Sequence, residues 1–326
     1  MTDLKEQILE LVRQDLAEIE VALTDNLKPY LSLVSHVAKY ILFSGGKRIR
    51  PLLMVLSARV CGYKGDYDKT LSVVFEYLHA ATLLHDDLVD GADIRRGNPV
   101  AHSIWGNPAT VLVGDFLLAR SIAIAAEANS VPIIGILAHA TAQMSQGEIH
   151  QLVHRGDLAV NETDYMEVIT RKTAYLIQAA CQIGALLAEA PGERVKQLAD
   201  YGYHLGIAFQ MADDLLDYTA DTKVLGKATG TDLRERKLTL PVIYALSRSS
   251  VEDRRRLETI VRDMDISESD FETVLGLINK YGGIAYTRDR AKKHIEEAKK
   301  CLDVFGPSKP RTLLEQLADY VLVRRM

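Results

Sequence analysis

The chain is poor in cysteine and has no excess of basic residues, and both shortages exclude classes of protein. Only three cysteines occur in 326 residues. They lie far apart and without CxxC spacing, so neither a disulfide framework nor a zinc motif is predicted. Acidic residues outnumber lysine and arginine by 44 to 39. This balance argues against a nucleic-acid-binding protein whose affinity comes from a basic surface.

Signals for export, for membrane insertion and for several common catalytic sites are also missing. Residues 1–6 contain no basic segment followed by an apolar core, so we expect no secretory signal and a cytoplasmic protein. Polar residues and a proline interrupt the uncharged stretch 128–147, which favours a buried helix over a transmembrane span. The patterns GxxxxGK[ST], HExxH, GxSxG and GxGxxG are absent, which disfavours Walker-type nucleotide binding, zinc proteolysis, serine hydrolysis and nicotinamide chemistry.

The spacing of apolar residues predicts an all-α fold. Such residues recur at intervals of three and four almost everywhere, whereas the strict alternation of a strand is hard to find. Short breaks rich in glycine and proline separate roughly a dozen predicted helices. No long linker or fixed-period repeat occurs, so we expect a single helical domain over residues 1–326. Residues 111–126 and 174–188 are apolar around most of the helix circumference, which predicts enclosed central helices.

Two copies of one acidic pattern, DDLVD at 86–90 and DDLLD at 213–217, lie in otherwise apolar helical stretches. Residues four apart lie on one helix face, roughly 6 Å from each other, so the first and last aspartates of each copy form an aligned pair. Like charges at this spacing repel, and divalent cations between them relieve the repulsion. Carboxylates that leave positions open for phosphate oxygens favour Mg²⁺. Each copy therefore predicts part of a metal-bound phosphate site.

Basic residues near the first acidic pattern suit phosphate binding. Arg95 and Arg96 follow it in a loop, and a guanidinium group binds phosphate oxygens in a bidentate way. The alternative is that these arginines are solvated and neutralise a nearby aspartate. Upstream, Pro51 suits the first position of a helix, which would place Lys47 and Arg50 just ahead of its N-terminus.

Four polar residues elsewhere are further candidates. His79 lies two helical turns before Asp86 and close to the same face, although a lone helical histidine is often only a core residue. Lys172 and Thr173 belong to an RKT triplet, and Gln210 precedes the second acidic pattern by one turn. An ammonium, a hydroxyl and an amide near carboxylates suit a metal-bound diphosphate and a developing positive charge. Alone, RKT is a common surface triplet.

The loop 223–237 contains glycines and basic residues and follows the second acidic pattern. It has the composition of a lid that supplies Lys227 and Lys237 on closing, or of a solvated connector. Glu148, His150 and His154 resemble a metal-binding helix, but no third ligand pattern accompanies them, so a helix face that lines a cavity is preferred to zinc.

Six segments match, in order, the motifs of the trans-isoprenyl diphosphate synthases, also called polyprenyl synthetases. They are GGKRIRP, HDDLVDGADIRRG, GDFLLARS, RKTAYL, FQMADDLLDY and GKATGTDLRERKLTLP. The chain resembles this family over nearly its whole length. The resemblance implies an all-α isoprenoid synthase fold, a homodimer, and a central cavity with one aspartate motif on each of two opposite walls.

The resemblance also implies a role for each candidate residue. Asp86, Asp90 and Asp213 would hold about three Mg²⁺ ions on an allylic diphosphate, and Asp87, Asp214 and Asp217 would support them directly or through water. The implied allylic diphosphate site contains Arg95, Lys172, Gln210, Lys227 and Lys237, with Thr173 near the reacting carbons. The implied isopentenyl diphosphate site contains Lys47, Arg50, His79 and Arg96. The allylic C–O bond would ionise, and the carbocation would alkylate the isopentenyl double bond.

Product length is predicted from the helix face that precedes the first motif. Thr82, Ala81 and Leu78 lie four, five and eight residues before Asp86 and point along one face. Family members with short products resemble one another in carrying aromatic residues at the first two of these positions. The small Ala81 and Thr82 therefore predict an open tunnel and a hepta- to decaprenyl product, with octaprenyl favoured.

Three alternatives stay open at this point. The first is a synthase of geranylgeranyl or farnesyl diphosphate, and the second is a terpene cyclase, which the intact second motif disfavours. The third, from another class, is a non-catalytic partner subunit of a heteromeric prenyl synthase. Such subunits tend to lose an aspartate motif, whereas both copies are whole in this chain.

Overall fold

The computed structural model describes residues 4–219, 230–263 and 265–323. These residues form an all-α fold, as predicted, with two very short strands, β1 (Ile94–Arg95) and β2 (Asn98–Pro99), in an antiparallel hairpin. The helices are, in order, α1 (Leu4–Leu27), α2 (Ser32–Phe43), α3 (Ile49–Val60), α4 (Tyr67–Val89), α5 (Ala101–Trp105), α6 (Asn107–Glu127), α7 (Val131–Val153), α8 (Glu162–Ile169), α9 (Tyr175–Leu187), α10 (Gly192–Thr219), α11 (Thr231–Arg234), α12 (Leu240–Arg248), α13 (Val251–Arg262), α14 (Glu268–Lys280), α15 (Gly283–Cys301) and α16 (Lys309–Val323). A π-helical turn, Thr170–Ala174, joins α8 to α9.

One helix boundary differs from the prediction in a way that affects a candidate residue. Helix α3 begins at Ile49, with Arg48 as its N-cap residue, so Pro51 is the third helical residue rather than the first. Arg50 therefore lies within the first turn of α3 and not ahead of it. Proline is tolerated throughout the first turn because the N–H groups there have no intrahelical partner.

The chain divides into two compact units. The first comprises Met1–Thr141, Leu176–Gly202 and Cys301–Leu317. Helix α4 lies at its centre and packs against α1, α3 and α6. Helix α9 approaches α3 closely at Gly184, where an added Cβ would lie 2.4 Å from the backbone oxygen of Met54. Glycine is therefore required there for the two helices to pack.

The second unit comprises Ala142–Tyr175, Tyr203–Lys300 and Ala318–Met326. Its core is formed by apolar residues of α10 and α12 to α14, among them Leu215, Val242, Leu257, Val274 and Ile278. Helix α8 packs against α12, and α14 packs against both α12 and α13. The single domain expected for residues 1–326 remains a prediction.

Helices α6 and α9 were both expected to be enclosed, and they differ. Most of α9 is buried, whereas α6 has an exposed apolar face that includes Leu112 and Ile122, which are 66% and 50% exposed. By length and composition α6 could cross a membrane, with 39% of its most apolar window buried. One such helix is weak evidence for a span, because the core helix of a soluble protein has the same properties. Stretch 128–147 forms most of α7, but the expectation that it is a buried helix is wrong, because only one face is covered. Its buried apolar residues follow helical spacing, and the opposite face is exposed; the buried ones are Ile133, Leu137, Ala140 and Met144.

Candidate active site

The first aspartate motif lies at the C-terminal end of α4, in the first unit. Asp86 and Asp87 occupy its last turn, and Asp90 is the C-cap residue, whose N–H donates to the backbone oxygen of Asp86 at 2.8 Å. Gly91 follows with φ of +63°, the left-handed conformation that commonly ends a helix. Asp86 and Asp90 are half-buried, whereas Asp87 is only 1% exposed.

Within the described part of the chain, one oxygen of the Asp87 side chain is hydrogen-bonded and the other is not. Nε of Arg95, on β1, donates to Oδ1 of Asp87 at 2.7 Å. Among the described residues, the buried Oδ2 atom has no hydrogen-bond partner. Burial raises the pKa of Asp87, against the opposing effect of Arg95. A buried carboxylate oxygen without a partner is costly, so this donor set suits a cation at the end of α4.

The charges of several arginines act on His79, which lies one turn before Thr82 on α4. Burial lowers the pKa of His79 well below its ordinary value, and the positive charges of Arg50, Arg96 and Arg95 lower it further. Three of the residues assigned to isopentenyl diphosphate, Arg50, His79 and Arg96, are thus close together in the first unit. Lys47, the fourth, is exposed in the loop before α3. A neutral imidazole among guanidinium groups is a suitable environment for a diphosphate.

Arg48 fixes the loop that carries Lys47 and was not recognised from the sequence. Its buried guanidinium donates to Glu20 at 2.6 Å, to Glu76 at 2.7 Å and to the backbone oxygen of Leu42 at 2.6 Å. The residue has φ of +49°, a left-handed conformation that a side chain adopts only when its contacts fix it. The segment KRIR contains three basic residues within four positions, and no sequence signal shows which of their side chains is buried.

The second aspartate motif lies near the C-terminal end of α10, in the second unit. Asp213 is half-buried, whereas Asp214 and Asp217 are 4% and 3% exposed. The hydroxyl of Tyr165 donates to one oxygen of Asp214 at 2.5 Å, and the amide of Gln210 donates to the other at 2.8 Å. Burial raises the pKa of Asp214 to about 7, and these two hydrogen bonds oppose that rise.

Gln210 also links Asp214 to the RKT triplet by hydrogen bonds. The hydroxyl of Thr173 donates to Oε1 of Gln210 at 2.7 Å, which fixes the orientation of the Gln210 amide. Lys172 is held by Glu148 at 2.7 Å and by Gln151 at 2.9 Å. The structure therefore brings together Lys172, Thr173, Gln210 and Asp214, as predicted. Tyr165 was missed, because a tyrosine on the apolar face of α8 resembles any core residue.

Lys172 and Thr173 lie in the π-helical turn 170–174. Two glycines on neighbouring helices allow close backbone packing against that turn. A Cβ added at Gly147 would lie 2.6 Å from the backbone nitrogen of Lys172, and one at Gly206 would lie 2.6 Å from Cα of Ala174. The backbones of α7 and α10 thus approach the turn as closely as glycine allows. π turns are rare and occur frequently at functional sites. No sequence pattern indicated this one.

A cavity of about 100 Å³ lies beside these residues, within the second unit. Its lining includes the polar residues Gln151, His154, Tyr165, Lys172, Gln210, Asp214, Asp232, Lys237 and Thr239. Lys237 is buried, and its ammonium lies 2.7 Å from Glu235. Lys227, also assigned to the allylic site, lies outside the described residues. Cations and carboxylates together on one wall suit a diphosphate with its counter-ions.

The aspartates fit Mg²⁺ as ligands shared with a substrate. Within the described ranges, no three acidic, histidine or cysteine side chains converge as a ready-made metal site. Mg²⁺ is commonly held by one or two carboxylates, with water and substrate phosphates completing the shell. A motif that presents two half-buried aspartates, such as Asp86 and Asp90, meets that requirement.

The three residues assigned to chain length lie on α4 in the first unit. Leu78 and Ala81 are buried, and the hydroxyl of Thr82 donates to the backbone oxygen of His79 at 2.9 Å. On α6, in the same unit, Leu117 is fully buried and Phe116 is half-buried. Burial alone suits both core packing and a tunnel wall, so the chain-length role remains a prediction.

Comparison with known proteins agrees with the fold and the motifs. The polyprenyl synthetase family model matches residues 31–278. The chain is 39% identical over 320 residues to octaprenyl diphosphate synthase of Escherichia coli (strain K12), with 98% of each chain covered. A polyprenyl synthase from Caulobacter crescentus CB15, solved with calcium and isoprenyl diphosphate, superposes with a TM-score of 0.93 at 39% identity, over 98% of each chain. A decaprenyl diphosphate synthase from Rhodobacter capsulatus gives 0.92 at 38% identity, also over 98% of each chain.

These similarities define an α-helical prenyltransferase of isoprenoid biosynthesis. The chain belongs to the polyprenyl synthetase family, as the order of its motifs predicted.

Proposed function

We propose that the protein is a long-chain all-trans polyprenyl diphosphate synthase. It adds isopentenyl diphosphate to an allylic diphosphate in successive steps and makes a hepta- to decaprenyl product, with octaprenyl favoured. The observation that carries this proposal is the group of Lys172, Thr173, Gln210 and Asp214 beside one cavity. The near-full-length similarity to octaprenyl and decaprenyl synthases supports the long product.

Mg²⁺ is the proposed cofactor, bound by Asp86, Asp90 and Asp213 and supported by Asp87 and Asp214. Asp217, which the family resemblance also assigned to the ions, is left out of this set because both of its carboxylate oxygens accept backbone N–H groups. The buried Oδ2 of Asp87, which has no hydrogen-bond partner among the described residues, supports this assignment, because a nearby cation favours the charged form of a buried carboxyl. When bound, Mg²⁺ neutralises charge on the departing diphosphate. We propose about three ions per site, the number that the family resemblance implies.

The chain's own residues would bind both substrates and stabilise the separating charges. Arg95, Lys172, Lys227 and Lys237 would hold the allylic diphosphate while its C–O bond breaks, and the electron pair leaves with the diphosphate. The oxygens of Thr173 and Gln210 would face the developing carbocation. The isopentenyl double bond then attacks that carbon, and the released diphosphate accepts the proton that is lost.

Lys47, Arg50, His79 and Arg96 would hold isopentenyl diphosphate. The neutral state of His79, enforced by burial and by the arginine charges, leaves the imidazole able to donate one hydrogen bond without adding a charge.

Sizing the lipid product tests the proposal. The purified protein is incubated with Mg²⁺, farnesyl diphosphate and isopentenyl diphosphate, and the chains are separated by length. Products of hepta- to decaprenyl length support a long-chain synthase, whereas a geranylgeranyl limit supports the shorter-chain alternative. A hydrocarbon formed without isopentenyl diphosphate indicates a cyclase. Inactivity of the isolated folded chain favours a partner subunit.

A substitution at Ala81 tests whether this helix face limits the length of the product. Ala81→Phe places an aromatic ring on the buried face of α4 and is expected to shorten the product by several isoprene units, because the ring blocks further elongation. Ala285→Phe, at an exposed position of α15, is the matched control and should leave the product length unchanged. If Ala81→Phe stays active and makes the same chain lengths, Ala81 does not limit the product.

A homodimer is the proposed assembly, and the exposed face of α6 is the proposed interface. Leu112, Ala119, Ile122, Ala123 and Ala126 are all exposed, and their spacing places them along one side of the helix. The exposed Asp115 lies on the same side, between Leu112 and Ala119, and interrupts this apolar stripe. Exposed apolar side chains along one helix face are nevertheless typical of an interaction surface, and the same face on two subunits suits a two-fold contact. Burial of this stripe by a second copy explains the apolar length of α6 without a membrane span and accords with the proposed cytoplasmic location.

Sedimentation equilibrium tests the interface. The protein is expected to sediment as a dimer, and Leu112→Glu with Ile122→Glu is expected to yield folded monomers, because each buries a charge against an apolar partner surface. Val251→Glu, at a residue 71% exposed on α13, is the control and should remain dimeric. A dimer that survives both α6 substitutions would place the interface elsewhere.

A further inference from the structure

The carboxylate of Asp217 binds backbone amides of a following segment. Its Oδ2 accepts the N–H of Asp232 at 2.9 Å, and its Oδ1 accepts the N–H of Thr231 at 3.2 Å. The backbone oxygen of the same residue accepts the N–H of Gly230 at 2.8 Å. Asp217 is buried, so these hydrogen bonds form away from water, where charge-assisted bonds are strong.

The amides bound in this way begin a compact segment, residues 230–239. Within it, the N–H of Lys237 donates to the backbone oxygen of Asp232 at 2.8 Å, so the start and the end of the segment are tied together. The hydroxyls of Tyr218 and Thr239 lie 2.9 Å apart in a second hydrogen bond to α10. Adjacent residues of α10, Asp217 and Tyr218, therefore hold both ends of the segment.

Segment 230–239 contributes several polar groups to the cavity. Asp232, Lys237 and Thr239 belong to the cavity lining, and Lys237 is the ammonium that the proposed function assigns to the allylic diphosphate. The backbone N–H of Lys237 donates to the backbone oxygen of Asp232, and the N–H of Asp232 donates to the carboxylate of Asp217. The backbone of Lys237 is therefore linked to Asp217 through Asp232. A displacement of roughly 1 Å at a group that contacts substrate is enough to reduce turnover strongly.

We propose that Asp217 is a positioning residue, which fixes segment 230–239 against α10 and so places Lys237 at the cavity. It differs in this from Asp213, the proposed metal ligand of the same motif. A carboxylate whose two oxygens accept backbone N–H bonds has less charge to offer a cation. The inference rests on the proposed function only for the role of Lys237, since the anchoring itself is independent of substrate.

Hydrogen exchange in the metal-free protein tests the anchoring without any activity assay. Peptides that span 230–239 are followed by mass spectrometry in the wild type, in Asp217→Asn and in the matched variant Asp213→Asn. Asp217→Asn replaces one accepting oxygen with an NH₂ group, so exchange at residues 231 and 232 is expected to rise about tenfold or more. Asp213→Asn should leave it unchanged. Equal exchange in all three proteins would overturn the proposal, whether or not the chain makes prenyl products.

Kinetics then separate positioning from metal binding. In Asp217→Asn, the Mg²⁺ concentration for half-maximal rate is expected to stay within about twofold of wild type, while KM for the allylic diphosphate rises and kcat falls. Asp213→Asn should instead raise the Mg²⁺ requirement manyfold. A rise of the same size in Asp217→Asn would overturn the assignment.

Tyr218→Phe gives a second route if Asp217→Asn does not fold. It retains every aspartate but loses the bond to Thr239, so KM for the allylic diphosphate should rise at an unchanged Mg²⁺ requirement. Wild-type kinetics in this variant would count against the anchored segment.

Discussion

The two aspartate motifs share one residue pattern, but their middle aspartates are neutralised in different ways. Asp87, in the first motif, forms an ion pair with Arg95 and has a buried second oxygen. Asp214, in the second motif, is bound by the uncharged donors Tyr165 and Gln210. Burial raises the pKa of both carboxyls; the charge of Arg95 opposes the rise at Asp87, whereas the hydrogen bonds from Tyr165 and Gln210 oppose it at Asp214.

The last aspartates differ as well. Asp90 caps the end of α4 and is half-buried, whereas Asp217 lies inside α10 and binds the amides of Thr231 and Asp232. The DDxxD pattern therefore reports only that carboxylates share a helix face. Whether each one serves a cation, an arginine or the backbone depends on what the rest of the chain packs against it.

Replacing the first aspartate of each motif is expected to have the largest effect on turnover. It tests the role in metal binding that we propose for both motifs. Asp86→Asn and Asp213→Asn should each lower the rate of isopentenyl incorporation by about a hundredfold or more, because each removes a proposed metal ligand. Their circular dichroism should match the wild type, since both side chains are half-buried rather than part of the core. The exposed Asp25→Asn and Asp289→Asn are matched controls. Retention of more than a tenth of the rate would contradict the ligand assignment.

Replacing the partners of the middle aspartates tests how the motifs differ. Arg95→Gln removes a cation from Asp87, so the pKa of Asp87 should rise and turnover at pH 7 should fall about tenfold. Tyr165→Phe removes only a neutral donor from Asp214, so turnover should fall a few-fold, with a loss of about 1 to 2 kcal/mol in unfolding free energy. Initial rates and urea unfolding measure both.

Arg255→Gln and Tyr30→Phe, at exposed positions, are the controls for this pair. Equal losses in Arg95→Gln and Tyr165→Phe would mean that the charge of the partner is unimportant and that the contrast between the motifs has no functional consequence.

The sequence was sufficient for the parts of the molecule that depend on local periodicity. The helical class and the shared helix face within each acidic cluster followed from spacing, because helix geometry determines which side chains meet when residues are three to seven positions apart. The proximity of Thr173 to Gln210, 37 residues further along the chain, followed instead from the order of the family's motifs.

The parts that depend on distant packing could not be predicted. Tyr165 and Asp214 are 49 residues apart, and Arg48 meets both Glu20 and Glu76 across 28 residues. A tyrosine on an apolar helix face, or one arginine among several, carries no local sign of its partner. The π turn 170–174 depends on close approach by Gly147 and Gly206, which is likewise a property of the assembled unit.

The dependence of stability on pH is expected to be the smallest effect and isolates Asp214. Its pKa in the folded protein, about 7, lies above the ordinary value of 3.8. The folded state therefore binds the proton of Asp214 more tightly than the unfolded chain does. The stability that this protonated carboxyl contributes is complete below about pH 4 and is lost as pH rises through 7. Without Mg²⁺, the melting temperature should fall between pH 5 and 8, and Asp214→Asn, which carries no charge, should flatten that fall.

Parallel curves for the two proteins would show that Asp214 titrates normally and that its hydrogen bonds to Tyr165 and Gln210 compensate fully for burial. A flattened curve that Mg²⁺ also produces in the wild type would tie the charge of Asp214 to the cation, because a bound cation favours the carboxylate at every pH in this range.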